Sequence, residues 1–186
     1  MNAIFTAALD LQRFCQQRGW RCCFIGGLAV QRWGEPRMTR DADLTLLTGF
    51  GTEQSFIDPL LDAYQGRRQD ARQFALQHRV LLARHPNRTP FDIALGALPF
   101  EEDTVRRSSL WDIGGGMLLT CSAEDLVIHK TFAGRDQDWL DVRGIVIRQG
   151  NSLDLDLITR ELPPLLALKG AASHLHKLRT LIRELL

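Results

Sequence analysis

Long apolar runs are absent. Nothing in the 186 residues approaches the roughly 18 consecutive apolar positions that a membrane-spanning helix requires. The opening stretch MNAIFTAALDLQRF has no basic segment and no small-residue cleavage site, so a secretory leader is not expected. Charge of one sign is equally scarce, with 23 Lys and Arg against 22 Asp and Glu. That balance excludes a histone-like basic protein and a disordered charged tail. The four cysteines form no CxxC, and the adjacent Cys22 and Cys23 would point to opposite faces of a strand, which suits no disulfide framework. Buried thiols are expected instead. Repeats and low-complexity linkers are lacking too. What remains is a cytoplasmic, globular chain, long enough to bury about 70% of its unfolded surface without disulfide or structural metal.

Apolar spacing predicts a first helix over 2–18, with Ile4, Ala8, Leu11 and Phe14 on one face and Gly19 ending it. Residues 21–25 read as a short buried strand broken by Gly26-Gly27, and residues 28–33 as a short helix. From Asp41, the residues Ala42, Leu44 and Leu46 alternate with Asp41, Asp43 and Thr45, the period of a half-buried strand. A helix is expected over 53–66, with Thr52 as its N-cap. The stretches 78–84 and 91–95 form a hairpin signal around His85–Pro90. A helix at 99–109 and two short strands around Gly114–Gly116 follow. Ser122 and Asp125 then cap a helix that ends near Gly134. Further helices are expected at 136–149, 153–168 and 171–186. The fold class is therefore α+β: a mixed sheet flanked by helices over 1–121, and a helical C-terminal subdomain over 122–186.

Three features carry chemistry. A strand running into Gly26-Gly27 and then a helix lets backbone N–H groups approach an anion closely, although such a junction is often only a tight turn. Asp41 and Asp43, two apart on one strand, project from one face, where their repulsion is relieved by a divalent cation; the alternative is a solvent-facing strand edge. Asp92 stands alone between Phe91 and Ile93, on the polar face of a second strand. Three carboxylates on one face suit two metal ions clamping an in-line phosphoryl displacement.

Ile25-Gly-Gly27, then Arg37-Met-Thr-Arg-Asp-Ala-Asp-Leu44, Phe91-Asp-Ile93, Lys130-Thr-Phe-Ala-Gly-Arg135, and Asp138 or Asp141 stand in order along the chain. This series resembles the nucleotidyltransferase core of the DNA polymerase beta superfamily, and more narrowly the AbiEii/AbiGii-type nucleotidyltransferases, which include toxins of type IV toxin–antitoxin systems. The resemblance implies Mg²⁺ at a two-metal site of Asp41, Asp43 and Asp92, an NTP donor, and transfer of NMP to an acceptor hydroxyl. It implies that Gly26 and Gly27 cradle phosphates, that Lys130 and Arg135 neutralise the triphosphate, and that Asp138 is the last aspartate of the series, with Asp141 as the alternative. Arg37 and Thr39 alternate with Asp41 and would line the same cleft, unless Arg37 only neutralises the carboxylates. Arg135 has a second reading, as an i,i+3 partner of Asp138. tRNA is then one acceptor, beside a protein side chain or a small molecule, and a cognate antitoxin protein is a partner. The sequence departs from the family at Gly27, where many members place serine.

Two other functions fit the same residues. One is a non-catalytic, nucleotide-sensing or partner-binding member of the fold; retention of three mutually repelling carboxylates weighs against it. The other is a scaffold role through the C-terminal helices. His174 and His176 have the wrong spacing for a helical metal pair, and Gly114–Gly116 has no following GK[ST].

Overall fold

The computed structural model describes residues 2–186. Contacts divide the chain into two units, one of residues 1–28 and 38–121 and the other of residues 29–37 and 122–186.

The first unit is built on a seven-stranded mixed sheet in the order β3-β4-β5-β2-β1-β7-β6. Its strands are β1 (Cys22–Phe24), β2 (Ala42–Leu47), β3 (Gln65–Gly66), β4 (Val80–Arg84), β5 (Pro90–Gly96), β6 (Ser109–Asp112) and β7 (Met117–Thr120). The helices of this unit are α1 (Ala3–Gln17), the first turn of α2 (Gly26–Trp33), α3 (Gln54–Ala63), α4 (Ala71–His78) and α5 (Pro99–Arg107). Asn2 caps α1 through its side chain, and Gly19 at φ +68° reverses the chain behind it. Ala7, Ala8, Leu11 and Cys15 bury one face of α1 in the core.

Strands β4 and β5 form the expected antiparallel hairpin. Pro90 opens β5, a position that tolerates the missing N–H donor. β5 pairs in parallel with β2, so that Ala42 faces Phe91, Asp43 faces Asp92 and Leu44 faces Ile93. The period-2 alternation then sorts the side chains. Ala42, Leu44 and Leu46, together with Phe91, Ile93 and Leu95, enter one core, while Asp43 and Asp92 stand side by side, half-buried, on the opposite face.

The second unit contains α6 (Ala123–Ala133), α7 (Asp136–Gln149), α8 (Leu155–Lys169) and α9 (Ser173–Leu185), with residues 29–37. Ser122 accepts from the Asp125 N–H at 3.1 Å and donates to the Asp125 carboxylate at 2.9 Å, the expected cap of α6, and Gly134 closes that helix at φ +71°. Segment 29–37 joins this unit because α7 holds it: Arg148 donates to Gly34 O at 2.7 Å and Gln149 to Trp33 O at 2.6 Å. Val30, Val127, Val142, Ile145, Ile158 and Leu162 are buried without exposure.

Among the local expectations, the cap of α3 fails and the buried thiols hold. Thr52 is not the cap of α3: its hydroxyl donates back to the Thr48 carbonyl, and Glu53 precedes the helix without a side-chain cap bond. Strand β3 and helix α4 were not legible in the sequence. The four cysteines are buried thiols. No helix among the described residues is long and apolar enough to cross a membrane.

Candidate active site

The expected residues gather as two groups, one in each unit. In the first unit, Asp41, Asp43 and Asp92 each offer a carboxylate oxygen, and these oxygens lie within 4.8 Å of one another. Asp43 and Asp92 come from paired positions of β2 and β5. Asp41 lies just ahead of β2, where its carboxylate accepts from the Thr39 hydroxyl at 3.3 Å. All three are half-buried.

Gly26-Gly27 is packed against this cluster. Gly26 has φ +58°, and a Cβ there would fall 1.9 Å from Asp43 Oδ2. A Cβ on Gly27 would fall 2.2 Å from the Thr39 hydroxyl. The Gly27 N–H points at Asp43 Oδ2 at 3.4 Å, a long contact that sets a helix N-terminus beside a carboxylate. The glycines therefore let the chain approach the acids closely, and the Thr39 hydroxyl occupies the space that a side chain at 27 would need. Replacement of Gly26 by Ala is expected to drive Asp43 out of the cluster and to strain the backbone by about 1–2 kcal/mol. The measurement is thermal shift: a modest fall in the Tm of the metal-free protein and loss of any Mg²⁺-dependent rise.

Arg67 completes the group, and no sequence signal singled it out. It follows the two-residue strand β3, its backbone N–H donates to Leu82 O at 3.0 Å, and its guanidinium pairs with Asp92 Oδ1. Burial raises the pKa of Asp92. The Arg67 charge opposes that shift and the neighbouring Asp41 adds to it, and the net result lies above the ordinary carboxylate range.

The donor set fits a hard divalent cation. Three carboxylates converge on one face with a diglycine turn packed beside them, the oxygen ligation that Mg²⁺ prefers. Among the described residues, no softer or nitrogen ligand belongs to the cluster.

In the second unit, Arg37, Lys130, Arg135 and Asp138 come together with Asp141. Lys130 is buried, 3.0 Å from Asp138 Oδ1 and 2.9 Å from Asp141 Oδ2. Arg37 donates to both oxygens of Asp141 at 2.7 and 2.8 Å, and Gln137 donates to it at 3.1 Å. Arg135 pairs with Asp138 at 2.7 Å while its side chain stays 77% exposed. Burial alone would raise the pKa of Asp141. Hydrogen bonds from Arg37 and Lys130 outweigh it and bring the value down to about 2. Asp138 is lowered in the same sense, with burial opposed by Arg135 and Lys130. Lys130 is thus the buried centre of an ion network, whereas Arg135 lies at its surface.

The chain matches no known family description, and no curated protein is similar to it in sequence. Its fold does have solved counterparts. An antigenic nucleotidyltransferase-like protein from Paracoccidioides brasiliensis superimposes with a TM-score of 0.52 at 17% identity, over 91% of each chain. A lincosamide antibiotic adenylyltransferase with lincomycin bound gives 0.52 at 14% identity, over 75% of this chain and 94% of its own. The antibiotic-resistance factor ANT(2'')-Ia, solved in solution, gives 0.55 at 14% identity, over 92% and 96%. The strand order, the flanking helices and these superpositions agree on one architecture: the chain carries the nucleotidyltransferase fold.

Proposed function

We propose that the protein is a metal-dependent nucleotidyltransferase that moves NMP from an NTP to an acceptor hydroxyl. The observation that supports this reading is the meeting of Asp41, Asp43 and Asp92 within 4.8 Å beside a diglycine turn, in a fold shared with an adenylyltransferase. Mg²⁺ held by Asp41 and Asp43 would supply charge neutralisation on the triphosphate and polarisation of the α-phosphate.

The chain's own groups do the rest. The Gly27 N–H at the start of α2 and the Thr39 hydroxyl, which point at Asp43 and Asp41 in the free protein, would turn to phosphate oxygens when the triphosphate enters. Asp92, with its raised pKa, takes the proton from the acceptor hydroxyl as the acceptor oxygen bonds to the α-phosphorus and the bond to pyrophosphate breaks. A base poised above the ordinary carboxylate range takes that proton more readily than an unperturbed aspartate. Arg135 enters as a triphosphate contact through the order of its motif. Lys130 and Arg37 hold Asp138 and Asp141, and so shape the helical unit.

The structural counterparts, a lincosamide antibiotic adenylyltransferase and an antibiotic-resistance factor, favour a small-molecule hydroxyl as acceptor. The AbiEii/AbiGii resemblance favours tRNA and brings with it a cognate antitoxin. One experiment separates them: α-labelled NTPs with Mg²⁺ and a cell lysate, followed by fractionation into small molecules, RNA and protein. Label is expected in one fraction, and neither EDTA-treated protein nor Asp41→Ala should transfer it. Wild type and Asp41→Ala giving equal, background label in every fraction would reject the proposal. NTP binding that persists without metal in that case would instead favour a nucleotide sensor.

A further inference from the structure

We infer that Arg67 takes the place of a second cation at Asp92, so that the carboxylate cluster holds one divalent ion tightly rather than two. This rests on the metal-dependent reading above, and it concerns how many ions the site accepts.

The geometry is a row across the sheet. The Arg67 backbone is fastened to Leu82 O. Leu82 is the register partner of Asp92, and Asp92 is the register partner of Asp43. The guanidinium therefore reaches Asp92 from the β4 side, while Asp43 stands on the β2 side. One oxygen of Asp92 is committed to Arg67, so this carboxylate already carries a cation and has one oxygen left for the cluster.

Charge leads to the same place. Three ionised carboxylates carry −3. One divalent ion and one guanidinium supply +3 and close the balance. Two divalent ions with Arg67 in position would supply +5, an excess that must be crowded into a half-buried cluster before any phosphate arrives. Two-metal sites set their ions about 3.5–4 Å apart, and a second ion drawing on Asp92 would have to share that carboxylate with a guanidinium.

Arg67 is also poorly placed to leave. Its side chain is 21% exposed, its Nε is buried without a hydrogen-bond partner, and among the described residues Asp92 is its carboxylate partner. Arginine cannot discard its charge by losing a proton. Displacing it from Asp92 would leave a charge in a partly desolvated place, a smaller cost than breaking a fully buried ion pair but of the same sign. The surrounding chain thus retains the arginine, and a second divalent ion must compete against it.

The experiment counts ions without requiring turnover. Mn²⁺ is titrated into the apo-protein, with free Mn²⁺ followed by electron paramagnetic resonance and heat by calorimetry. Wild type is expected to take one tight ion per chain, and Arg67→Gln two. Arg67→Lys, which restores the charge, should return the count to one. Asp92→Asn, which spares Asp41 and Asp43, should keep the single tight ion; because it leaves Arg67 intact, it reports even where Arg67→Gln folds poorly. Two ions of comparable affinity in wild type, a single ion in well-folded Arg67→Gln, or loss of the tight ion in Asp92→Asn would each overturn the inference and leave the transferase proposal standing. Wild type that binds no Mn²⁺ would overturn both.

Discussion

Asp43→Asn is expected to lower NMP transfer by about a thousandfold without lowering the Tm of the metal-free protein. The substitution keeps the shape of the side chain, so the Gly26 approach and the β2–β5 pairing stay intact. What it removes is one charge from the pair that holds the cation, and loss of metal-based stabilisation worth several kcal/mol corresponds to about three orders of magnitude in rate. The stability half of the prediction follows from the carboxylates themselves. Asp92 already ionises less readily in the folded protein than in the unfolded chain, first because it is buried and further because Asp41 is near. Its ionisation therefore costs stability as the pH rises past the ordinary carboxylate range, and one charge fewer in the cluster eases that cost. Differential scanning fluorimetry with and without Mg²⁺, alongside label transfer, checks both halves. A large fall in the apo Tm would mean that Asp43 is holding the sheet together rather than serving chemistry.

Lys130→Met should destabilise the helical unit by about 3 kcal/mol, because two adjacent buried carboxylates lose their shared cation and keep only Arg135 and Arg37. For a chain of this size that corresponds to a fall in Tm on the order of 10 °C. The double variant Lys130→Met with Asp138→Asn should recover part of the loss, since one of the two crowded carboxylate charges disappears. The wild-type network also sets a pH signature. Asp141 ionises at about 2 in the folded protein against 3.8 in its ordinary state. Its contribution, about 2 kcal/mol, is therefore fully present above about pH 4 and is lost as the pH falls toward 2. Denaturant midpoints measured from pH 5 to pH 2 should fall in wild type and fall less in Asp141→Asn.

The readable part of this protein was whatever depends on neighbours in sequence. The alternation in Ala42–Leu47 and in Phe91–Leu95 set each aspartate apart from the core, and that is how β2 and β5 are buried. Caps and glycine stops located α1 and α6 to within a residue or two. Pairings between distant segments left no such trace. The parallel register that sets Asp43 against Asp92 joins strands 49 residues apart in sequence. Arg67 reaches Asp92 only because a two-residue strand pairs with β4, and two residues are too few to show a period. Helix α4 was missed because its buried face consists of Ala71 and Ala75, whose small side chains give little hydrophobic contrast. The resemblance implied two cations on one ligand at the Lys130–Arg135 spacing. Nothing in that spacing announces that Lys130 is enclosed by carboxylates from the next helix.

The parallel ladder between β2 and β5 also ties chemistry to correct folding. If either strand slid by one position, its own aspartate would turn inward and its own Leu44 or Ile93 outward, so a misassembled molecule would lose its acid cluster and expose grease in the same stroke. Copies that hide their apolar surface well enough to escape proteases and chaperones are then the same copies whose carboxylates are aligned, and the cell's ordinary surveillance of exposed hydrophobics doubles as an inspection of the reactive centre.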